Sequence, residues 1–416
     1  MSTTKALEEA RVNFASSNPG SEKVFKENLL GLPGGVTRGG LYFHPFPIIL
    51  TKGEGVHVWD ADGRKYLDFC GEYAAGLFGH NHPVISKAMI DAIQHGTALG
   101  GVNPAEGKAA SLLCARFESM DKVRFCNSGT EADQMAFQLA RAYTGRNKLM
   151  LFEGGYHGAL ASFVVKPVPG VKSMNIPVDI VVADYNDVEG TRALIRQHQD
   201  DLACVALELM QAAGGCLPAT TEFVQMLRDE TSASGALLLF DEVVTSRSAY
   251  GGLQSRLGIK PDLTTVGKWI GGGSCNFGAF GGSAKVMDLL DPTKSGSISH
   301  SGTFNNNMIT MQAMCACLGD VFTEQEAARL WDLGEYLKDG INKAASASNV
   351  NMQATGCGST LTIHFTRNRL RSRADLKSVN HDLTTLFYLD MLQKEHADVL
   401  IAAIKDFIEE RKELVI

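Results

Sequence analysis

Gly235–Gly273, reading GALLLFDEVVTSRSAYGGLQSRLGIKPDLTTVGKWIGGG, contains two short apolar runs that decide the architecture. Ala236 to Phe240 is continuously hydrophobic, as a strand buried on both faces requires, and it ends in Asp241-Glu242. Leu263 to Val266 follows the turn-forming Lys260-Pro261-Asp262 and ends in Gly267-Lys268, after which come the glycines 271–273. Each strand therefore delivers one ionisable group at its C-terminal end. In open α/β sheets that edge is where ligands bind, so Asp241 and Lys268 are expected to converge on one crevice.

Outward from this stretch, residues 84 to 290 alternate helix and strand. Helices are predicted over 85–95, 105–117, 131–143 and 221–232, and strands over 122–126, 148–152, 180–182 and 204–208. That alternation predicts an α/β fold, a large domain whose mostly parallel sheet is flanked by helices. Upstream, Leu7, Val12, Phe14, Val24, Phe25 and Leu29 have helical spacing interrupted at Ser16 to Gly20, which predicts an arm of two helices. Runs at 48–50, 56–59 and 65–69 alternate like strands, the last two joined by the turn Asp60-Ala61-Asp62-Gly63. Past residue 310, helical stretches at 311–322 and 327–345 precede strands near 352–354 and 360–365 and then terminal helices, the pattern of a smaller α+β domain. The domain division expected is 1–55 as N-terminal arm and part of the small domain, 56–305 as the large domain, and 306–416 as the C-terminal small domain.

Composition narrows the function. The 416 residues carry a formal charge of −7 with no basic run, which argues against a nucleic-acid partner. The first ten residues lack a signal-peptide core, and no apolar run approaches the roughly 18 residues of a membrane span. A soluble, cytoplasmic protein is expected. Nine cysteines are scattered without any Cys-x-x-Cys pair, so they read as reduced core thiols, and no metal site is expected. His80-Asn81-His82 has no accompanying carboxylate or cysteine pattern that would make it a metal ligand set.

Several segments are ambiguous alone. Asn127-Ser128-Gly129-Thr130-Glu131-Ala132, between a strand and a helix, is either a phosphate cup at the helix start or an N-cap with no ligand. Glu153 to Gly158 places Tyr156 and His157 on a turn after a strand, as a stacking platform or as incidental aromatics. Arg38, in the glycine-rich 32–40, is either a binding residue or a solvated loop arginine.

In combination these segments are recognisable. Asn127–Ala132, Gly155-Tyr156-His157-Gly158, Phe240-Asp241-Glu242-Val243, Thr265-Val266-Gly267-Lys268 and Ser301-Gly302-Thr303-Phe304 occur in the order and spacing of class III, fold-type I aminotransferases, which use pyridoxal 5′-phosphate. The resemblance covers about residues 20 to 395. Within the class, Leu32 to Arg38, Glu72 to Gly76 and His300 to Asn307 resemble β-phenylalanine aminotransferases, with glutamate-1-semialdehyde aminomutases near relatives. The resemblance implies that Lys268 forms the Schiff base and moves the proton, and that Asp241 holds a proton on the pyridine nitrogen. It further implies Val243 and Tyr156 on the two ring faces, His157 and Glu208 beside the cofactor, and Ser128, Gly129 and Thr130 on its phosphate. Thr303 would complete that cup from the neighbouring subunit of a homodimer with shared active sites. Arg38 becomes the candidate clamp for a substrate carboxylate, with Tyr73 and Gln211 beside it. Where the family has proline after the glutamate, this chain has Leu209.

The tail departs from the pattern. Relatives continue past the helix equivalent to 387–395 into two short strands carrying a second active-site arginine. Here His396 leads directly into Ala397-Asp398-Val399-Leu400, so roughly twenty residues are missing, two strands of typical length with their turn. Arg247 is one candidate to replace the lost arginine. The activity implied is transfer of an amino group between a β- or ω-amino acid, or related amine, and a 2-oxo acid. Two other readings remain: an aminomutase or amino-acid racemase on the same scaffold, and a cofactor-binding protein whose turnover the short tail impairs.

Overall fold

The computed structural model describes residues 2–160, 179–393 and 400–415. The arm is two helices, Thr3–Ser17 and Pro19–Asn28, the second opened by its proline. Strands β1 (Leu50–Glu54), β2 (His57–Asp60) and β3 (Lys65–Leu67) form an antiparallel meander. Its hairpin turn is held by Asp60, whose Oδ1 accepts from the amides of Asp62 and Arg64 and whose Oδ2 accepts from the Tyr66 hydroxyl at 2.6 Å.

The large sheet follows. Its strands are β4 (Lys122–Cys126), β5 (Lys148–Phe152), β6 (Ile180–Ala183) and β7 (Leu202–Glu208). A short ribbon, β8 (Met210–Gln211) with β9 (Leu217–Pro218), leads on to β10 (Leu237–Asp241), β11 (Leu263–Gly267) and β12 (Gly278–Gly282). The seven-stranded order is β4-β12-β11-β10-β7-β5-β6, parallel except for β12, which runs antiparallel between β11 and β4. Every residue of β7, β10, β11 and β12 is buried, which explains the continuous apolar runs. Alternate side chains serve opposite layers: Leu149 and Leu151 pack with the helix Gly129–Thr144, whereas Met150 and Phe152 pack with Phe223 and Leu227 on the other face.

β12 has no counterpart among the strands expected from the sequence. Three of its five residues are glycine, and a Cβ at Gly278 would lie 2.0 Å from the Ser128 carbonyl oxygen, one at Gly282 2.4 Å from that of Asp262. The glycines let this strand slide between backbones that a side chain would push apart.

The helix Met308–Ala316 packs against the helices Pro83–His95 and Pro104–Arg116, and Phe322 belongs to the same cluster. The same cluster reaches Ala327, so in packing terms the change of layer falls within the helix Glu324–Ala347. The smaller layer comprises the helix Glu324–Ala347, the antiparallel pair β13 (Gln353–Cys357) and β14 (Thr360–His364), and the helices His381–Gln393 and Leu400–Glu410. Ala6, Leu7, Ala10 and Phe14 of the arm pack into it against Ile341, Leu386 and Phe407. Among the described residues no strand lies between the last two of these helices. The junction at His396 to Val399 is outside the described residues.

Candidate active site

Register fixes the first row of the site. Asp241 stands opposite Glu208 of β7 and Thr265 of β11, so three polar side chains line one sheet edge, with Lys268 following on from β11. Lys268 itself has φ 53, a left-handed conformation that a residue with a Cβ adopts at a cost of about 1–2 kcal/mol. Burial lowers the basicity of its amine, and the charge of Asp241 opposes that shift.

Asp241, 4% exposed, accepts from the Val243 amide through Oδ1 at 3.0 Å and faces His157 Nδ1 through Oδ2 at 2.8 Å. The turn after β5 sends its two aromatics to opposite environments. Tyr156 is 37% exposed toward the crevice while His157, at 1%, lies beneath it against Asp241. Burial alone would lower the imidazole's basicity, but the hydrogen bond and charge of Asp241 overcome this and raise it to about 9. Glu208 accepts from the amides of Tyr156 and Ala212, at 2.8 and 3.3 Å, and burial pushes its carboxyl up to about 7 against the opposing charge of His157. It thereby fixes the backbone carrying Tyr156.

The candidate cup sits at the N-terminus of the helix Gly129–Thr144. Ser128 Oγ accepts from the Glu131 amide at 3.1 Å, so the capping role is real and coexists with amides that point outward at the helix start. The space around it is close-packed: a Cβ at Gly129 or Gly267 would meet Val243 at 3.0 or 3.3 Å, and one at Gly158 would lie 2.3 Å from Thr130 Oγ1. Among the described residues the buried acceptor Gln211 Oε1 has no partner, although its Nε2 donates to the Glu153 carbonyl at 3.1 Å. A phosphate fits the helix start, an aldehyde fits the buried amine, and a ring nitrogen fits Asp241. This donor set suits pyridoxal 5′-phosphate.

Arg38 lies across the crevice, close enough for its charge to disfavour protonation of Lys268. Its guanidinium pairs with the Glu72 carboxylate and sits 5.4 Å from the centre of the Tyr73 ring, whose hydroxyl donates to the Gly40 carbonyl at 2.8 Å. Glu72 and Tyr73 belong to a run, Gly71 to Ala74, with φ of 51, 49, 52 and 75, a strained turn of the kind found where side chains must be aimed. Arg247 donates to Ser359 Oγ at 3.0 Å and to the Ala74 carbonyl at 3.4 Å, and burial lowers its basicity to about 10. It braces the turn from below. Thr303 is exposed, two residues from Asn305, whose side chain accepts from Asn127 Nδ2 at 3.0 Å. His80 bonds Asp68 at 3.0 Å within the meander region, a structural role.

Sequence reasoning missed Asp133, which lies 1% exposed next to His157 and Asp241. The available signal was an acid in the buried stripe Ala132, Ala136, Phe137, Ala140 of an otherwise apolar helix face. It also missed Glu72, whose pairing with Arg38 spans 34 positions and leaves no local trace.

Known proteins resemble the chain over most of its length. The beta-phenylalanine transaminase of Variovorax paradoxus is 44% identical over 391 residues, 94% of this chain and 89% of its own. The solved structure of a beta-phenylalanine aminotransferase from the same organism superposes with a TM-score of 0.96 at 42% identity, covering 100% of this chain and 99% of that one. A glutamate-1-semialdehyde 2,1-aminomutase of Thermodesulfovibrio yellowstonii is 34% identical over 388 residues, 90% of either chain. A solved transaminase with pyridoxal phosphate bound matches at 34% identity and a TM-score of 0.79, over 86% of this chain and 87% of its own. Since the description "Aminotransferase class-III" fits residues 42–386, the chain belongs to the class-III aminotransferases, enzymes that depend on pyridoxal 5′-phosphate.

Proposed function

We propose that the chain moves an amino group between a β- or ω-amino acid, or a related amine, and a 2-oxo acid, with Lys268 and Asp241 at the reacting centre. What supports this reading is Lys268 following β11 at the sheet edge that carries Asp241, in a chain 44% identical to a beta-phenylalanine transaminase. When bound, the cofactor supplies an electron sink for the carbon that bears the substrate nitrogen. Lys268, largely desolvated and so biased toward its neutral form, is the nucleophile that holds the cofactor and then the base that takes the proton from that carbon. Asp241 holds a proton at the ring nitrogen. Ser128, Gly129 and Thr130 bind the phosphate, Val243 and Tyr156 cover the ring, and Gln211 offers its unsatisfied carboxamide. Arg38, stacked on Tyr73, receives the substrate carboxylate.

A cytosolic homodimer is part of the proposal. Hydrogen bonds from Asn306 to Gly101 and from Asn103 to Asn306 join the loop at 99–103 to that at 302–307. Leu99, Val102 and Phe304, 58%, 91% and 59% exposed, then share one surface next to the cup, and a second subunit would cover them while adding Thr303. Val102→Asp with Phe304→Asp is expected to give monomers by sedimentation that lose cofactor; fully active monomers would remove the shared-site reading.

The decisive experiment is a panel of amino donors read as conversion of the bound cofactor to its amine form. Three-aryl β-amino acids are expected to convert it, and sustained product without any oxo acid would favour a mutase or racemase instead. Lys268→Ala is expected to lose the visible absorbance of lysine-bound cofactor; retention of that band would overturn the assignment.

A further inference from the structure

Beneath the crevice lies a cluster of which the proposed reaction uses only Asp241. One oxygen of Asp133, one of Asp241 and a ring nitrogen of His157 all lie within 4.8 Å of one another, and the three residues are 1%, 4% and 1% exposed. Asp133 Oδ1 accepts from Thr265 Oγ1 at 2.6 Å, and an oxygen of Asp133 lies within 4.8 Å of one of Asp241. At about 4 Å and an effective dielectric near 20 two carboxylates repel by about 4 kcal/mol, and the imidazole that opposes this repulsion is hydrogen-bonded to Asp241. A proton kept by one of the two removes the repulsion.

The surroundings decide which group keeps it. Asp241 has two hydrogen-bond partners, the imidazole at 2.8 Å and the Val243 amide at 3.0 Å. Asp133 has one neutral donor, the Thr265 hydroxyl, and feels desolvation first and the charge of Asp241 second, both of which push its proton affinity up. Glu208 stands one strand further along the edge and acts on His157 and Asp241. We propose that Asp133 is a neutral carboxylic acid whose hydroxyl donates to Asp241, so that Asp241 is held as an anion between an imidazolium and an acid. Asp133 is thus a positioning residue: it touches no substrate, and it fixes the charge and orientation of the group assigned to the cofactor's ring nitrogen. The last clause rests on the proposed role of Asp241; the protonation state of Asp133 does not.

The test is infrared spectroscopy of the holoenzyme at pH 8.5, above the range in which Glu208, at about 7, retains its proton. A protonated-carboxyl carbonyl band is expected, shifted in D2O, moved by carbon-13 labelling of aspartate, and abolished in Asp133→Asn. Asp133→Asn keeps a donor toward Asp241 and should preserve the pH range over which the cofactor's visible absorbance is constant. Asp133→Leu removes the donor and should weaken cofactor retention about tenfold. Absence of the band, a band insensitive to aspartate labelling, its survival in Asp133→Asn, or a stoichiometric metal ion in the purified protein would overturn the proposal. If Asp133→Asn does not fold, the labelled wild-type spectrum still decides. Should Lys268→Ala keep the lysine-bound absorbance while the Asp133 band behaves as expected, the cofactor assignment fails and this inference stands.

Discussion

The pair His157 and Asp241 makes stability depend on pH in a way that can be isolated. In the folded cofactor-free protein the imidazole holds its proton up to about 9, against 6.5 ordinarily. Below pH 6.5 both folded and unfolded chains carry the proton, and the full contribution is present. As pH rises from 6.5 the unfolded chain loses it while the folded chain keeps it, so stability declines, and the contribution is gone once pH passes about 9. At about 1.36 kcal/mol per pH unit the total is on the order of 3 kcal/mol. Lys268, whose buried amine is depressed, changes stability in the opposite direction over its own range. That effect is common to wild type and a His157→Gln variant, whereas Glu208 and Asp133, which the imidazolium holds down, are raised further in the variant and take back part of the difference. Unfolding free energies of both proteins from urea titrations, taken every half unit from pH 6 to 10, should converge between pH 6.5 and 9.5 by at most about 3 kcal/mol. Parallel curves through that window would show that His157 is neutral in the native state, and the charge assignment beneath the crevice would be wrong.

Other substitutions probe the frame and the substrate side. Glu242, fully buried, accepts from Thr245 Oγ1, the Leu253 and Gln254 amides and Gln254 Nε2. Glu242→Ala orphans two backbone donors and should cost about 3–6 kcal/mol of unfolding free energy by urea titration; a loss below about 1 would contradict the geometry. Gly278→Ala puts a methyl 2.0 Å from the Ser128 carbonyl and should displace the cup, seen as faster loss of cofactor on dialysis with about 1–3 kcal/mol lost in stability. Unchanged retention would separate the cup from β12. Arg38→Lys should lower kcat/KM for amino acids about thirtyfold, equivalent to about 2 kcal/mol, and leave amines without a carboxylate unaffected. Equal losses for both classes would assign Arg38 a structural task.

Legibility followed the range of the physics. β10 could be read because burial on both faces demands an unbroken apolar run, which stops abruptly at Asp241, and β11 because β-branched residues follow a turn and stop at Gly267-Lys268. β12 could not, because Gly278, Gly281 and Gly282 look like loop residues until the backbones of Ser128, Lys122 and Asp262 are seen pressed against them. The cup, Asp241 and Lys268 were legible as local motifs at strand ends. His157 was found as a residue but not as a partner, since Asp241 lies 84 positions away. The same distance problem hid Glu72 from Arg38 and Asp133 from both. The packing change within the helix Glu324–Ala347 was not legible, since the helix Met308–Ala316 is apolar on all sides and carries no orientation signal.

The left-handed backbone at Lys268 sets folding against chemistry at a single position. Glycine would adopt φ 53 without steric penalty, so as a fold element the end of β11 favours the one residue that has no amine to offer. On the role proposed for Lys268, a chain freed from it would drift toward Lys268→Gly, gaining stability as it lost the amine. The lysine therefore marks where the protein is held away from its own most stable sequence.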